Sequence, residues 1–294
     1  MKPIPSFDLH RPETLEEALE LLSELEGSRP IAGGTDLLMS LREGDCKAKH
    51  LVDLGLVKEL RCIREDKGTI SIGSTTTVAQ VVESRLINAK APVLSEASSS
   101  LGSVQIRNLA TMGGNLCNAS PGADTATPLL VLGAGVEVAS RKGSKSMPLS
   151  ELFTGSNRTS LAPGELLTEI RFPSPPTGSG ASFQKLGRRK SCTLSLINAA
   201  AYLEMNGKTC REARVAFGAC APTPMRALEV EGLLRGLKLD IKAVEEVSSA
   251  CYGLVQPSTR AHARASEEYR REMSCVLMRR ALTEAWERAR RNTR

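Results

Sequence analysis

Apolar residues recur with two spacings through residues 6–172, which is typical of a chain that alternates strands with helices. Apolar positions three and four apart predict helices over 14–27, 37–42, 77–84, 92–101 and 128–132. The first of these begins at Thr14, where Glu17 completes a capping box. Short apolar runs predict strands over 29–32, 50–54, 69–72, 136–139 and 166–172, after an extended segment at 6–11.

The pattern changes after a stretch rich in proline and glycine at 173–180, which predicts a boundary between domains 1–176 and 177–294. Beyond it, alternating runs predict three strands over 181–186, 195–204 and 212–218. The Asn206-Gly207 pair between the last two is a strong signal for a hairpin turn. Helical spacing then predicts helices over 227–236, 240–254 and 266–291. We therefore expect a small antiparallel sheet packed against helices.

One stretch of the first domain, residues 103–128, is polar and lacks helical or strand periodicity for most of its length. Its length predicts a functional loop, and the Gly113-Gly114 pair would let the backbone approach a ligand closely. A second pair, Gly33-Gly34, follows a predicted strand and precedes a predicted helix, a place where free N–H groups suit a pyrophosphate. Glycine pairs alone usually mark simple turns. The hypothesis that both motifs bind one diphosphate-bearing cofactor therefore depends on their contexts.

Composition and charge narrow the functional classes. The net charge is +6 and aromatic residues make up 3% of the chain, which argues against a stacking surface for nucleic acid. Residues 1–12 lack the apolar core of a signal peptide, and no apolar run is long enough to span a bilayer, so we expect a cytoplasmic protein without a membrane span.

Residues suited to metal binding or to acid–base catalysis are sparse. The eight cysteines are scattered without the spacing of a zinc or iron–sulfur site, and there are only three histidines. We therefore predict no metal site and no catalytic side chain, and expect any chemistry to belong to a bound cofactor. Cys117 lies in the polar stretch 103–128, where it is either a packing residue or a neighbour of the cofactor.

Six segments, in order along the chain, carry a resemblance to a known family. They read AGGTDLL at 32–38, QIRNLATMGGN at 105–115, ADTATPLL at 123–130, GELLTEI at 164–170, FQKLGRRK at 183–190 and FGACAPTPMR at 217–226. Together they resemble the FAD-binding medium subunits of molybdenum hydroxylases, which include xanthine dehydrogenase and carbon monoxide dehydrogenase. The resemblance implies an α+β fold, with a two-lobed FAD-binding domain of PCMH-like type followed by a three-stranded antiparallel sheet with a helical bundle.

The resemblance also implies a set of FAD-binding residues. Both glycine motifs would hold the pyrophosphate, through Ile31, Ala32, Gly33, Gly34, Thr35, Asp36, Thr111, Met112, Gly113, Gly114 and Asn115. Asp124 would contact ribityl or ribose hydroxyls, Leu167 would lie near the adenine, and Lys185 near the flavin. Leu167 could instead be an ordinary core residue and Lys185 a solvated one. Some related flavin folds attach FAD covalently through a histidine in the first motif, so Thr35 at that place implies noncovalent binding.

The implied function is electron transfer within a complex. A partner subunit with molybdopterin and a small iron–sulfur subunit would supply electrons, which FAD would pass to NAD or another acceptor. The rival interpretations are a stand-alone flavin-dependent oxidoreductase and a non-catalytic nucleotide- or nucleic-acid-binding module. Arg188, Arg189 and Lys190 either form a solvated turn or direct a cation toward the flavin or the acceptor.

Overall fold

The N-terminal lobe of the chain is a three-stranded parallel sheet with two helices. The computed structural model describes residues 3–189, 192–256 and 265–292. The strands pair in the order β1-β3-β2, and the elements of the lobe are β1 (Asp8–His10), α1 (Leu15–Glu24), β2 (Ser28–Ile31), α2 (Leu37–Glu43) and β3 (His50–Asp53). The predicted cap of the first helix is present in part. The Thr14 hydroxyl accepts from the Glu17 N–H, but the Glu17 carboxylate accepts from Glu13 rather than from Thr14.

The middle lobe is built on a five-stranded antiparallel sheet of order β4-β5-β10-β6-β7. Its strands are β4 (Ile63–Asp66), β5 (Thr69–Gly73), β6 (Gly135–Ser140), β7 (Gly143–Pro148) and β10 (Leu166–Pro173). Strands β8 (Phe153–Gly155) and β9 (Arg158–Thr159) form a separate small hairpin. Short 3-10 turns over Leu54–Leu56 and Lys58–Leu60 join the two lobes. The sequence missed β4, β7, β8 and β9 because they are short or largely exposed and polar, without a buried apolar face.

Seven short helices cover the middle sheet: α3 (Val78–Glu83), α4 (Arg85–Lys90), α5 (Pro92–Ser99), α6 (Val104–Leu109), α7 (Met112–Asn118), α8 (Ala126–Val131) and α9 (Leu149–Leu152). The prediction of a long loop over 103–128 is therefore wrong, since α6, α7 and the start of α8 lie inside it. The hydroxyls of Ser103 and Thr111 cap α6 and α7. Helices of six or seven residues make too few turns to show an apolar stripe in the sequence.

The C-terminal domain contains the predicted antiparallel sheet and helices. Its elements are β11 (Ser179–Gly187), β12 (Ser195–Asn206), β13 (Thr209–Gly218), β14 (Met225–Arg226), α10 (Leu228–Leu234), α11 (Ile241–Ser249), a 3-10 helix (Ala250–Leu254) and α12 (Glu267–Arg291). The three predicted strands are joined by a fourth of two residues, β14, which pairs with β13. The predicted hairpin is present, with Gly207 at φ +60° between β12 and β13.

The C-terminal sheet lies between two hydrophobic cores, which explains its sequence pattern. On β12, Ala200 and Tyr202 pack into the core of the middle lobe, whereas Ala199, Ala201 and Leu203 pack against the C-terminal helices. Successive side chains of a strand point to opposite faces, so one strand contributes to both cores. The C-terminal sheet is thus buried against the first domain, and residues of the two domains can meet there.

Candidate cofactor-binding site

The first glycine motif forms a bend between β2 and α2. Gly34 has φ +67°, a left-handed conformation that glycine adopts without strain. The backbone N–H groups of Gly33, Gly34, Thr35 and Asp36 donate no hydrogen bond to residues 3–189, 192–256 or 265–292. Successive free N–H groups around a left-handed residue form a concavity that suits an anion.

The second glycine motif lies directly against the first. A Cβ atom on Gly33 would lie 1.9 Å from the Leu109 carbonyl oxygen and 3.0 Å from the Ala110 nitrogen. Only glycine fits there, because any other residue would collide with this peptide. Thr111, the cap of α7, follows Ala110 at once. The structure therefore brings together the two motifs, which are almost 80 residues apart in the sequence.

The second motif is the first turn of α7 rather than a loop, and protein acceptors already use its N–H groups. Met112 donates to the Thr76 carbonyl at 2.9 Å, and Gly113 donates to the Ser74 carbonyl at 2.8 Å. Gly114 donates to the Thr111 hydroxyl at 3.1 Å. These bonds attach α7 to the segment that follows β5. The N–H groups of this motif therefore fix the position of the helix and are not free to bind a ligand.

The two glycines of the second motif have different surroundings. A Cβ on Gly113 would lie 2.6 Å from the Ser74 Cβ atom, in a buried position. A Cβ on Gly114 would contact only the Thr111 hydroxyl, at 2.8 Å, and Gly114 is exposed. Gly113 is therefore required by packing, whereas Gly114 presents its Cα to the surface. Asn115 accepts a hydrogen bond from the Thr125 hydroxyl at 2.6 Å.

Asp124 and Lys185, predicted separately, form a buried ion pair between the two domains. The Lys185 Nζ atom is 2.6 Å from Asp124 Oδ2, and their side chains are 10% and 8% exposed. Lys185 also donates to the Ser100 carbonyl at 2.9 Å. The other Asp124 oxygen accepts from the Ser195 hydroxyl at 2.6 Å and the Asn198 amide at 3.1 Å.

This environment acts on the Asp124 carboxyl in two directions. Burial raises its pKa, and the lysine, together with the hydrogen bonds from Ser195 and Asn198, offsets part of that rise. Three of the roughly four acceptor positions of a carboxylate are thus occupied by protein donors. The fourth position has no donor among the described residues.

A cavity of about 450 Å³ opens beside this ion pair, between the end of α5 and the end of β11. Its lining includes Ser100, Lys185, Gly187, Arg189 and Thr193. Arg189 lines the cavity, and its Nε and Nη2 atoms donate to the Cys192 carbonyl at 2.9 and 2.5 Å. Arg188 is exposed, and Lys190 lies outside the described residues.

Two further residues singled out by sequence have packing roles. Leu167 is 2% exposed, pairs with Val138 and packs in the core of the middle lobe, which agrees with its interpretation as an ordinary core residue. Cys117 on α7 is half-buried and packs against the core of the middle lobe, and burial of its thiol raises the pKa of that thiol to about 12. Such a thiol is protonated at neutral pH and is a packing group.

Sequence reasoning did not find Ser100, Ser195 and Asn198, which surround the Asp124–Lys185 pair. Ser195 and Asn198 face the pair because they lie on β12 next to the strand that carries Lys185. A serine and an asparagine at the start of an otherwise apolar strand were the available signal. The partner, however, lies more than 70 residues upstream and is brought near only by folding.

Two properties of the described residues bear on other functional classes. No three of their histidine, cysteine, aspartate or glutamate side chains are grouped so as to hold a metal ion. None of the helices within residues 3–189, 192–256 and 265–292 has the length and apolar content needed to cross a bilayer.

The two glycine motifs lie in contact within the larger domain, and the buried ion pair of Asp124 and Lys185 joins that domain to a smaller sheet-and-helix domain. Residues 5–175 match the FAD binding domain in molybdopterin dehydrogenase, and residues 181–285 match the CO dehydrogenase flavoprotein C-terminal domain. The chain belongs to this family, the FAD-binding subunits of molybdenum hydroxylases.

Individual relatives are similar over nearly the whole chain. The carbon monoxide dehydrogenase medium chain of Afipia carboxidovorans is 36% identical over 285 residues, which cover 97% of this chain and 98% of the relative. The xanthine dehydrogenase FAD-binding subunit of Escherichia coli O157:H7 is 34% identical over 278 residues, 94% of each chain. A solved structure of carbon monoxide dehydrogenase from Hydrogenophaga pseudoflava superposes with a TM-score of 0.93 at 30% identity, covering 97% of this chain and 99% of that one. The expected family and α+β fold are confirmed.

Proposed function

We propose that this chain binds FAD noncovalently, with the pyrophosphate at the bend between β2 and α2. One observation carries the proposal: the free N–H groups of residues 33–36 lie beside the start of α7, because Gly33 packs on the Leu109–Ala110 peptide. A diphosphate needs several donors close together, and the four successive N–H groups of this bend have no protein acceptor among the described residues. FAD supplies redox chemistry when it is bound.

The remaining residues of the proposed site would have different roles in FAD binding. Ile31, Ala32 and Thr35 shape the first bend, and Gly114 leaves the surface of α7 open for close approach. Thr111, Met112 and Gly113 act indirectly, because their groups hold α7 in position. Asp124 has one acceptor position left for a ribityl or ribose hydroxyl, and Lys185 has one N–H beyond its two bonds for the flavin region. Leu167 would lie near the adenine through its backbone, because its side chain is buried in the core of the middle lobe.

The chain would act as an electron-transfer subunit. It is similar to proteins named as FAD-binding subunits and medium chains of dehydrogenases, so it would assemble with a molybdopterin-containing large subunit and an iron–sulfur small subunit. Electrons would pass from the partner through this chain to NAD or another acceptor. All eight cysteines are free, which fits the reducing cytoplasm.

The state of the flavin tests noncovalent binding. FAD should bind to the purified full chain with one-to-one stoichiometry in a fluorescence titration, and unfolding should release all of it into an ultrafiltrate. Flavin that stays with the denatured chain would show a covalent link. A wild-type chain that binds no FAD would overturn the proposal itself.

The need for partners separates the subunit from a stand-alone oxidoreductase. The isolated chain should oxidise neither purines nor aldehydes, whereas a complex purified with its partner subunits should oxidise its substrate. Substrate turnover by the single chain, free of molybdenum, would favour the stand-alone enzyme.

Arg189 is the residue we propose for acceptor binding. Its guanidinium is exposed, lines the cavity beside Lys185 and uses only part of its five N–H donors on Cys192. A fixed cation there would attract a phosphate-bearing acceptor such as NAD. Arg189→Ala in the assembled complex should raise the KM for the acceptor and leave FAD content unchanged. An unchanged KM would show that Arg189 takes no part in acceptor binding.

A further inference from the structure

The last helix, α12, lies directly on the strand that carries Lys185. A Cβ atom on Gly180 of β11 would lie 2.1 Å from the Ala285 carbonyl oxygen and 2.4 Å from the Ala289 nitrogen. Helix and strand therefore touch backbone to backbone at this point, which leaves little freedom for one to slide on the other. The side chains of Glu284 and Arg288 project beside this contact.

Glu284 and Arg288 attach to β11 from the face opposite Lys185. The Glu284 carboxylate accepts from the Ser182 hydroxyl at 2.8 Å and from the Gln184 amide at 2.9 Å. Ser182 and Gln184 alternate with Lys185, so Lys185 points to the middle lobe while they point to α12. Arg288 pairs with Glu284 and donates to the Ala181 carbonyl at 2.8 Å.

Arg288 also reaches across the domain boundary to α5. Its two terminal nitrogens contact the two carboxylate oxygens of Glu96 at 2.9 and 2.8 Å, the paired geometry that only arginine provides. Glu96 lies one helical turn before Ser100, whose carbonyl accepts from Lys185. Helix α5 and strand β11, the two walls of the cavity, are therefore joined at two points, by Lys185 at the cavity and by Arg288 behind it.

We infer that Arg288, with Glu284 and Glu96, is a positioning residue: it fixes β11 against α5 and so holds Lys185 between Asp124 and Ser100 at the proposed FAD site. This inference rests on the proposed function. Arg288 contacts neither Lys185 nor Asp124, and it lies on an element that lines no part of the cavity. Its effect on FAD would therefore pass entirely through the position of Lys185.

A double-mutant cycle with Lys185 tests this dependence. The FAD dissociation constant of the full chain is measured by fluorescence titration for wild type, Arg288→Ala, Lys185→Met and the double variant. Arg288→Ala should weaken FAD binding about tenfold in the wild-type background and by much less in the Lys185→Met background. Equal effects in both backgrounds would show a general structural role and overturn the inference, as would wild-type affinity in Arg288→Ala.

Two further variants guard against trivial outcomes. Glu96→Gln breaks the same ion pair from the half-exposed side of α5 and replaces Arg288→Ala in the cycle should that protein fail to fold. Arg291→Ala is the matched control, because Arg291 also pairs four residues back on α12, with Glu287 at 3.3 Å, but its side chain is 79% exposed. It should bind FAD like wild type. A wild-type chain without FAD affinity would overturn the proposed function and this inference together, whereas additive effects would overturn the inference alone.

Discussion

The two glycine motifs look alike in the sequence and differ in the structure. The first, at Gly33-Gly34, leaves its N–H groups without acceptors among the described residues. The second, at Gly113-Gly114, is the capped first turn of α7, and its N–H groups are bonded to Thr76, Ser74 and Thr111. The first motif therefore has donors to offer a ligand, and the second provides a rigid support against which the first is placed.

The comparison also separates two uses of glycine. Gly33 and Gly113 are required because backbone or Cβ atoms of the protein occupy the space a side chain would need. Gly34 is required by its left-handed backbone, and Gly114 lies at the surface. Within each pair, one glycine thus serves packing and the other leaves the backbone accessible or turns it. Substitutions at these positions should separate loss of stability from loss of FAD.

Gly33→Ala should have the largest effect, because its Cβ would lie 1.9 Å from the Leu109 carbonyl oxygen. This collision would push the two motifs apart, so the substitution should lower the free energy of unfolding by about 3 kcal/mol and remove FAD binding. Urea denaturation and flavin content measure the two effects. Gly232→Ala in α10 is the control, since nothing lies within 4 Å of its Cβ position, and it should stabilise by roughly 0.5–1 kcal/mol. Wild-type stability of Gly33→Ala would show that the motifs do not touch.

Gly114→Val should abolish FAD retention in a protein that still folds. The branched side chain would cover the exposed surface of α7, and its Cβ atom would lie 2.8 Å from the Thr111 hydroxyl. We expect the FAD dissociation constant to rise about 100-fold, or 2.8 kcal/mol. Full FAD content in the folded variant would exclude this surface from the site.

Gly113→Ala should have the opposite effect to Gly114→Val: it should lower the stability of the protein but leave the folded protein able to bind FAD. Its Cβ would lie 2.6 Å from the Ser74 Cβ atom, so we expect the free energy of unfolding to fall by about 2 kcal/mol. Saturating FAD should still bind the folded fraction and raise the melting temperature. A Gly113→Ala protein with wild-type stability and no FAD would contradict the division of roles between the two glycines.

Thr111→Val removes the cap of α7 while nearly keeping the shape of the side chain. It should cost about 1 kcal/mol of stability, because the Gly114 N–H loses its acceptor. Thr35→Val in the first motif should change stability by less than about 0.5 kcal/mol, since no helix depends on it for a cap. Equal losses in the two variants would mean that the motifs are alike after all.

The last prediction concerns Cys117, whose thiol should not react with an alkylating reagent in the folded protein. With a pKa of about 12, its thiol gains a reactive thiolate only as the pH approaches that value, so iodoacetamide at pH 8 should not modify it in the folded protein. Exposed Cys192 should react under the same conditions, as peptide mass mapping would show. Rapid labelling of Cys117 would mean that α7 opens, and the second motif would not be a rigid support.

Local patterns in the sequence determined much of the fold. The stripe of α1, the strand before Gly33 and the Asn206-Gly207 hairpin all appear close to their predicted positions. Each depends on interactions between residues near one another in the chain, so spacing and turn chemistry suffice to predict it. The six matching segments likewise identified the family, and with it the FAD-binding domain.

The roles of the individual site residues were decided by tertiary structure. The stretch 103–128 looked like a loop because α6 and α7 are too short to show periodicity, and hydroxyl caps and bonds to residues 74–76 make them helical. The sequence also could not show that Asp124 and Lys185 would pair, or that Arg288 would join α5 to β11 behind them. These contacts link residues from 61 to 192 positions apart. Local patterns carry no information on such pairs, because only packing of the sheet between two cores brings them within bonding distance.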